Sequence, residues 1–182
     1  DQTQRCRKIV GGLLNFARKT QVNLEELALP ELIDQSIAAL VVPPGVSLKI
    51  SNKLQDPMIQ LDRDQMLQVL TNLIRNATEA MPEGGTVHIL MEESKEATLK
   101  ITVEDTGSGI PPAHLDKIFT PFFTTKGPGK GTGLGLPIAY GIVKMHRGKI
   151  SIVSHHDPAE GPTGTRFIIE LPRQPLQKQE NA

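Results

Sequence analysis

The sequence predicts an α+β fold: a two-layer α/β sandwich whose mixed, mainly antiparallel sheet carries its helices on one face. Three observations predict it. The strand-like segments come in adjacent pairs, as in hairpins. Helical segments separate the pairs instead of alternating one-for-one with strands. Residues 105–135, rich in Gly, Pro and Thr, form a long loop that holds only one short helical stretch.

The elements follow in order. Asp1 to about Thr20 has helical spacing at Ile9, Leu13, Phe16 and Ala17, with Val10 and Leu14 beside them. It reads equally as the end of a longer helix or as a complete short amphipathic one. A short linker leads to a helix from about Pro30 to Leu40, with Glu31 in its first turn and Val42-Pro43-Pro44-Gly45 as its stop. Val46–Ile50 alternates as a strand, and Met58–Leu61 is a second, short one. Asp62 to Met81 is the longest periodic segment, with Met66, Val69, Leu70, Leu73, Ala77 and Ala80 on one face and Pro82-Glu83-Gly84-Gly85 after it. Thr86–Met91 and Thr98–Val103 form a hairpin around 92–97. Pro111–Phe119 is the helical stretch inside the long loop. A helix from Leu136 to about His146 and strands at Lys149–Val153 and Arg166–Leu171 complete the sandwich. The polar tail, 174–182, is expected to be disordered.

Composition excludes several functions. Twenty Lys+Arg balance twenty Asp+Glu, so no net field gathers nucleic acid or an anionic membrane. Trp is absent and Phe plus Tyr total six, too few for base-stacking platforms. The apolar runs fall short of a bilayer span. No nucleic-acid partner and no direct membrane contact are expected. A single cysteine, Cys6, rules out an internal disulfide and reads as an inert helix residue. His88, His114, His146, His155 and His156 show no metal-ligand spacing and read as ordinary surface or strand histidines.

Three segments carry candidate chemistry. On the long helix, Gln65, Gln68, Asn72, Asn76 and Glu79 fall within an arc of roughly 80°. Asn is a poor helix former, and an Asn oxygen suits a hard cation such as Mg²⁺ that shares phosphate oxygens. Taken alone, the stripe reads first as a solvated polar face. The second segment is Asp105-Thr106-Gly107-Ser108-Gly109, entered directly from a strand. A carboxylate there can accept the exocyclic amine of adenine. Guanine offers an oxygen instead and would leave buried acceptors unpaired, which favours ATP. An Asp-containing turn is the alternative. The third, Gly127 to Leu136, places glycines at 129, 131, 133 and 135 before a helix start, with Lys126 and Lys130 flanking. Its free N–H groups and helix dipole suit an anion, although the pattern is neither a P-loop nor a dinucleotide fingerprint. A flexible loop is the alternative there. Phe119, Phe122 and Phe123 are expected to anchor this loop to the body.

In combination, these segments resemble a known family. Asn72-Leu73-Ile74-Arg75-Asn76-Ala77 resembles the N box, and Asp105-Thr106-Gly107-Ser108-Gly109-Ile110 the G1 box, of sensor histidine kinases. Phe119 to Lys126 resembles the F box, Gly131-Thr132-Gly133-Leu134-Gly135-Leu136 the G2 box, and Gly164-Thr165 the final glycine-threonine element. The match covers about Leu29 to Pro172, and its wording is similar to that of the nitrogen-regulation-type kinases. It implies the Bergerat ATP-binding fold of the GHKL superfamily, with the long loop as an ATP lid. It divides the chain into 1–22, the end of a dimerisation and phosphoacceptor helix (Arg5 to Arg18 carry that likeness), 23–173, the catalytic domain, and the tail.

The resemblance also implies roles. Asn76 would hold Mg²⁺ on the ATP phosphates, with Asn72 beside it. Asp105 would bind the adenine amine, Gly107 and Gly109 would let the base approach, and Ile110 and Thr165 would border the site. Lys126 and the 131–136 loop would cover the triphosphate. The reaction would be transfer of the γ-phosphoryl to a histidine on the phosphoacceptor domain, and then to a response regulator, in the cytoplasm. None of the five histidines lies in an H-box pattern, so the chain should not phosphorylate itself. Glu79 stands where many such kinases carry a basic residue, although it borders the same site. Three alternatives share features with this reading: an ATPase of the gyrase, chaperone or mismatch-repair type, a non-catalytic nucleotide-binding coupling module, and a serine kinase of the anti-sigma-factor type. The ATPases place a general-base Glu where this chain has Asn72, which cannot take a proton from water.

Overall fold

The computed structural model describes residues 21–94, 97–127 and 131–174. The expected N-terminal helix with Cys6, the loop residues Gly129 and Lys130, and the tail from 175 lie outside the described residues.

The chain order is β1 (Glu25–Ala28), α1 (Leu29–Ala38), β2 (Val46–Asn52), β3 (Met58–Leu61), α2 (Arg63–Glu79), β4 (Gly85–Glu93), β5 (Thr98–Asp105), α3 (Pro112–Leu115), α4 (Gly135–Met145), β6 (Lys149–His155) and β7 (Gly164–Pro172). The main sheet has five strands in the order β2-β4-β5-β7-β6. The β2–β4 pair is parallel and the other pairs are antiparallel. This is the mixed, mainly antiparallel sheet expected. α2 packs on α1, on α4 and on strands β4 and β5, which places the helical layer over one face.

One strand escaped the sequence reading. Glu25–Ala28, taken as linker, pairs antiparallel with β3 in a separate two-stranded sheet. Two of its four residues are glutamates, and its partners lie thirty or more residues away, so no local pattern marks it.

α2 is the scaffold of the molecule. Asp62 caps it, its side chain accepting from the Gln65 N–H at 3.0 Å. Met66, Val69, Leu70, Leu73 and Ile74 are fully buried beneath it. Each large apolar side chain contributes about 1.5–3 kcal/mol by leaving water, so this helix holds its polar face rigidly. Gln65, assigned to that polar stripe, is buried away from it and donates to the Gln21 carbonyl.

His146 is a core residue, not a surface one. It is 1% exposed. Its Nε2 accepts from the Asp62 backbone N–H at 3.0 Å, and its Nδ1–H donates to the Ile142 carbonyl at 2.9 Å. The neutral ring thus ties the end of α4 to the start of α2. Burial pushes its pKa below the ordinary 6.5, outweighing the Ile142 bond and the Asp62 charge that favour the imidazolium. The unfolded chain therefore binds this proton more readily than the native protein does. Stability should be complete above pH 6.5 and fall as pH drops through it toward the lower folded value. Urea unfolding of His146→Gln, which cannot charge, should show a shallower loss of stability between about pH 7 and 5 than the native protein.

Candidate nucleotide site

A cleft of about 690 Å³ opens between α2, the loop after β5, the 123–126 segment and the start of α4. It gathers Asn72, Asn76, Glu79, Asp105, Gly109, Ile110, Lys126, Gly131 to Leu136 and Thr165. Gly107, expected to line the site, is not among the lining residues; its N–H bonds to Asp105 instead.

At one end stands Asp105, the last residue of β5 and 5% exposed. β5 runs between β4 and β7, so the carboxylate is fixed from both sides. Its Oδ1 accepts from the Gly107 N–H at 2.9 Å and the Thr165 N–H at 3.2 Å. Both bonds end on Oδ1, which leaves Oδ2 for a ligand. Burial raises its pKa above the ordinary 3.8; the two N–H bonds oppose the rise and the Glu104 charge adds to it.

The loop beyond Asp105 needs its glycines. A Cβ on Gly107 would stand 2.7 Å from the Ala80 carbonyl oxygen and 2.9 Å from Asp105 Oδ1. Gly109 has φ +70°, and a Cβ there would stand 1.9 Å from the His155 carbonyl oxygen. The loop is pinned to the β6 end at two further points. The Ile110 N–H donates to Ser154 Oγ at 2.8 Å, and His156 Nδ1–H donates to the Ser108 carbonyl at 2.8 Å.

Further along α2, Asn72 is 6% exposed and uses both ends of its amide. Nδ2 donates to the Gly135 carbonyl at 3.2 Å, and Oδ1 accepts from the Arg75 guanidinium. Asn72 thus clips α2 to the first turn of α4. Asn76 is half-buried, and its Oδ1 accepts from Lys126 Nζ at 3.5 Å. Lys126 also forms an ion pair with Glu79 across the mouth of the cleft. α4 starts with no side-chain cap, and its first residues line the cleft.

The aromatic segment splits in role. Phe119 and Phe123 pack on the core, Phe119 against Tyr140 with ring centroids 5.0 Å apart and Phe123 edge-on to His114 at 5.5 Å. Phe122 does not anchor the loop through its ring, which is 53% exposed. Its backbone does so instead: at φ +68° its N–H donates to the Gly133 carbonyl at 2.9 Å. Gly133, at φ +65°, sits so close that a Cβ would reach 2.4 Å from the Phe122 carbonyl carbon.

The sequence model of the histidine kinase-, DNA gyrase B- and HSP90-like ATPase family matches residues 61–175. The chain belongs to this family. The catalytic domain of the histidine kinase ThkA, solved free of nucleotide, is 33% identical with a TM-score of 0.73, over 84% of this chain and 97% of that one. The fold of this chain is therefore that of a histidine kinase catalytic domain. A structure of ThkA in complex with the response regulator TrrA has a TM-score of 0.75 and 28% identity, over 96% of this chain and 49% of that one. Sporulation kinase A of Bacillus subtilis is 38% identical over 176 residues, 94% of this chain. The chain spans 28% of that relative's length.

The cleft also holds residues outside the expected set. Gln68, on the polar stripe, lines it although the stripe alone implies no role for it. Ser108 and Thr125 lay inside segments read for their neighbours. Arg75 lay just outside the arc of the stripe, and its spacing from Asn72 was the one available signal.

Proposed function

We propose that this chain is the ATP-binding catalytic domain of a two-component sensor histidine kinase. It binds ATP and transfers the γ-phosphoryl group to a histidine on a phosphoacceptor domain of the same protein. The observation that carries the reading is the buried Asp105 carboxylate, with Oδ2 open to a ligand, in one cleft with Asn76 and the uncapped start of α4. Oδ2 takes the adenine amine, and Gly107 and Gly109 let the base lie against the loop. Ile110, Leu134 and Leu136 supply apolar wall, and Thr165 holds the carboxylate. The Gly131, Gly133 and Gly135 backbone and Lys126 face the phosphates.

Mg²⁺ fits this site. Asn76 offers a hard amide oxygen that already faces a cation, the Lys126 ammonium, with the Glu79 carboxylate beside it. Among the described residues no three His, Cys, Asp or Glu gather as a metal cage, so phosphate oxygens and water would supply the remaining ligands around Asn76. Bound there, the ion would neutralise phosphate charge. The chain's own part is to position the nucleotide and exclude water.

Transfer is favoured over hydrolysis by Asn72. Its amide is committed at both ends and has no basic group to take a proton from water. We assign residues 23–173 to the catalytic unit and 1–22 to the end of the dimerisation helix. A response regulator, the partner solved with ThkA, is the proposed downstream acceptor. Among the described residues no helix is long and apolar enough to cross a membrane. With ATP and a response regulator as its proposed substrate and partner, the domain is assigned to the cytoplasm.

The test is phosphotransfer. With labelled ATP, Mg²⁺ and a phosphoacceptor hairpin, the chain should place label on the hairpin histidine, and chelation of the metal should stop it. Release of inorganic phosphate without labelling would favour the ATPase reading. A second expectation concerns the metal ligand. Asn76→Ala should weaken ATP binding about tenfold with Mg²⁺ present and much less in chelator, where calorimetry compares the two directly. Equal losses in both would remove Asn76 from the metal.

A further inference from the structure

We propose that Arg75 binds the terminal phosphate of ATP and lets the cleft distinguish ATP from ADP. The inference rests on the nucleotide reading above and assigns one more residue to that site.

The direction of the nucleotide follows from α2. The loop after Asp105 packs on the C-terminal end of this helix, where the Ser108 N–H meets the Ala80 carbonyl at 3.4 Å. A base held by Asp105 therefore lies beside Ala80. Moving back along α2, the cleft next presents Asn76 and Glu79, then Asn72 and Arg75 with Gly135 opposite. At ~1.5 Å per residue, Ala80 to Asn72 is about 12 Å. A ribose and a chain of phosphates extending from the base run along this helix, and the last phosphate arrives beside Arg75 and the first turn of α4.

Charge points to the same residue. The triphosphate brings one more anionic group than the diphosphate, and the far end of the cleft must meet it. Lys126, which faces the phosphates, is partly neutralised by its ion pair with Glu79. Arg75 faces no carboxylate among the described residues; it donates from Nη2 to the neutral Asn72 oxygen. A guanidinium has five N–H donors in a planar fork, so donors remain for a phosphate after that bond is made. The bond to Asn72 orients the fork in advance, which lowers the cost of engaging a ligand. Arg75 is exposed, so removing it takes nothing from the core.

The experiment is a calorimetric titration of the native chain, Arg75→Met and Arg75→Lys with ATP and with ADP, each with Mg²⁺. In Arg75→Met, ATP affinity should fall about tenfold or more while ADP affinity stays within about twofold, as expected for loss of a charge-assisted contact made only by the third phosphate. Arg75→Lys, which keeps the charge and loses the fork, should fall between. Equal losses for both nucleotides would overturn the assignment and reduce Arg75 to a support for Asn72 and Gly135. Unchanged ATP affinity would overturn it as well. Failure of the native chain to bind either nucleotide would overturn the nucleotide reading itself, and the Arg75 assignment with it.

Discussion

Asp105→Asn is expected to lower ATP affinity by about a hundredfold or more without harming the fold. The new side chain keeps Oδ1, so the Gly107 and Thr165 N–H groups keep their acceptor. At the other position an NH₂ replaces Oδ2 and meets the adenine amine donor to donor. The loss combines a charge-assisted bond with a buried donor left unpaired, each worth about 1–3 kcal/mol. Stability should move the other way. Burial raises the pKa of Asp105 above 3.8, so the native protein binds this proton more readily than the unfolded chain. Its favourable contribution is present at low pH and is lost as pH rises through 3.8 to the folded value. The ionised carboxylate therefore costs stability at neutral pH, and Asp105→Asn should melt at or above the native temperature. By the same sign, ATP binding should weaken on acidification earlier than for an ordinary aspartate, because protonation removes an acceptor. A variant that bound ATP as tightly as the native chain would remove the adenine contact from Asp105.

Gly109→Ala should damage binding and fold together. The methyl group would enter a backbone carbonyl at 1.9 Å, and φ +70° disfavours any side chain. The loop must shift, and its anchors at Ser154 and His156 shift with it. A cost of about 2–3 kcal/mol corresponds to a melting temperature lower by roughly 4–12 °C in a domain of this size. ATP affinity should fall about tenfold or more, since Ile110 and Asp105 flank the displaced turn. Gly127→Ala is the control: a Cβ there meets nothing within 4 Å, and both quantities should stay near native. Equal behaviour of the two variants in a thermal melt would contradict the packing argument.

Much of this molecule was legible in the sequence because local and tertiary signals agree. The apolar face of α2 is buried where its periodicity places it, and β4 and β5 pair antiparallel as expected, with β4 running on through Glu92 and Glu93. The segments read for chemistry converge on one cleft, since each closes an element that the sheet or α2 aligns. What escaped depends on distance in the chain. β1 is a strand only because β3 offers it an edge. His146 looks like a helix-end surface residue until Asp62, far earlier in the chain, supplies the N–H that buries it. Phe122 reads as an anchor by its ring, yet the close approach of Gly133 turns its backbone into the anchor and sends the ring outward. The Glu79–Lys126 pair joins residues 47 apart in sequence, so its contact across the cleft mouth could not be read from either segment.

The most direct test of the central claim is a calorimetric titration of the chain with ATP and Mg²⁺ beside the same titration with GTP. One nucleotide should bind per chain, and GTP should bind about a hundredfold more weakly, because its oxygen would face the Asp105 carboxylate and leave both without a donor. Equal affinity for the two nucleotides, or no binding of either, would contradict the account.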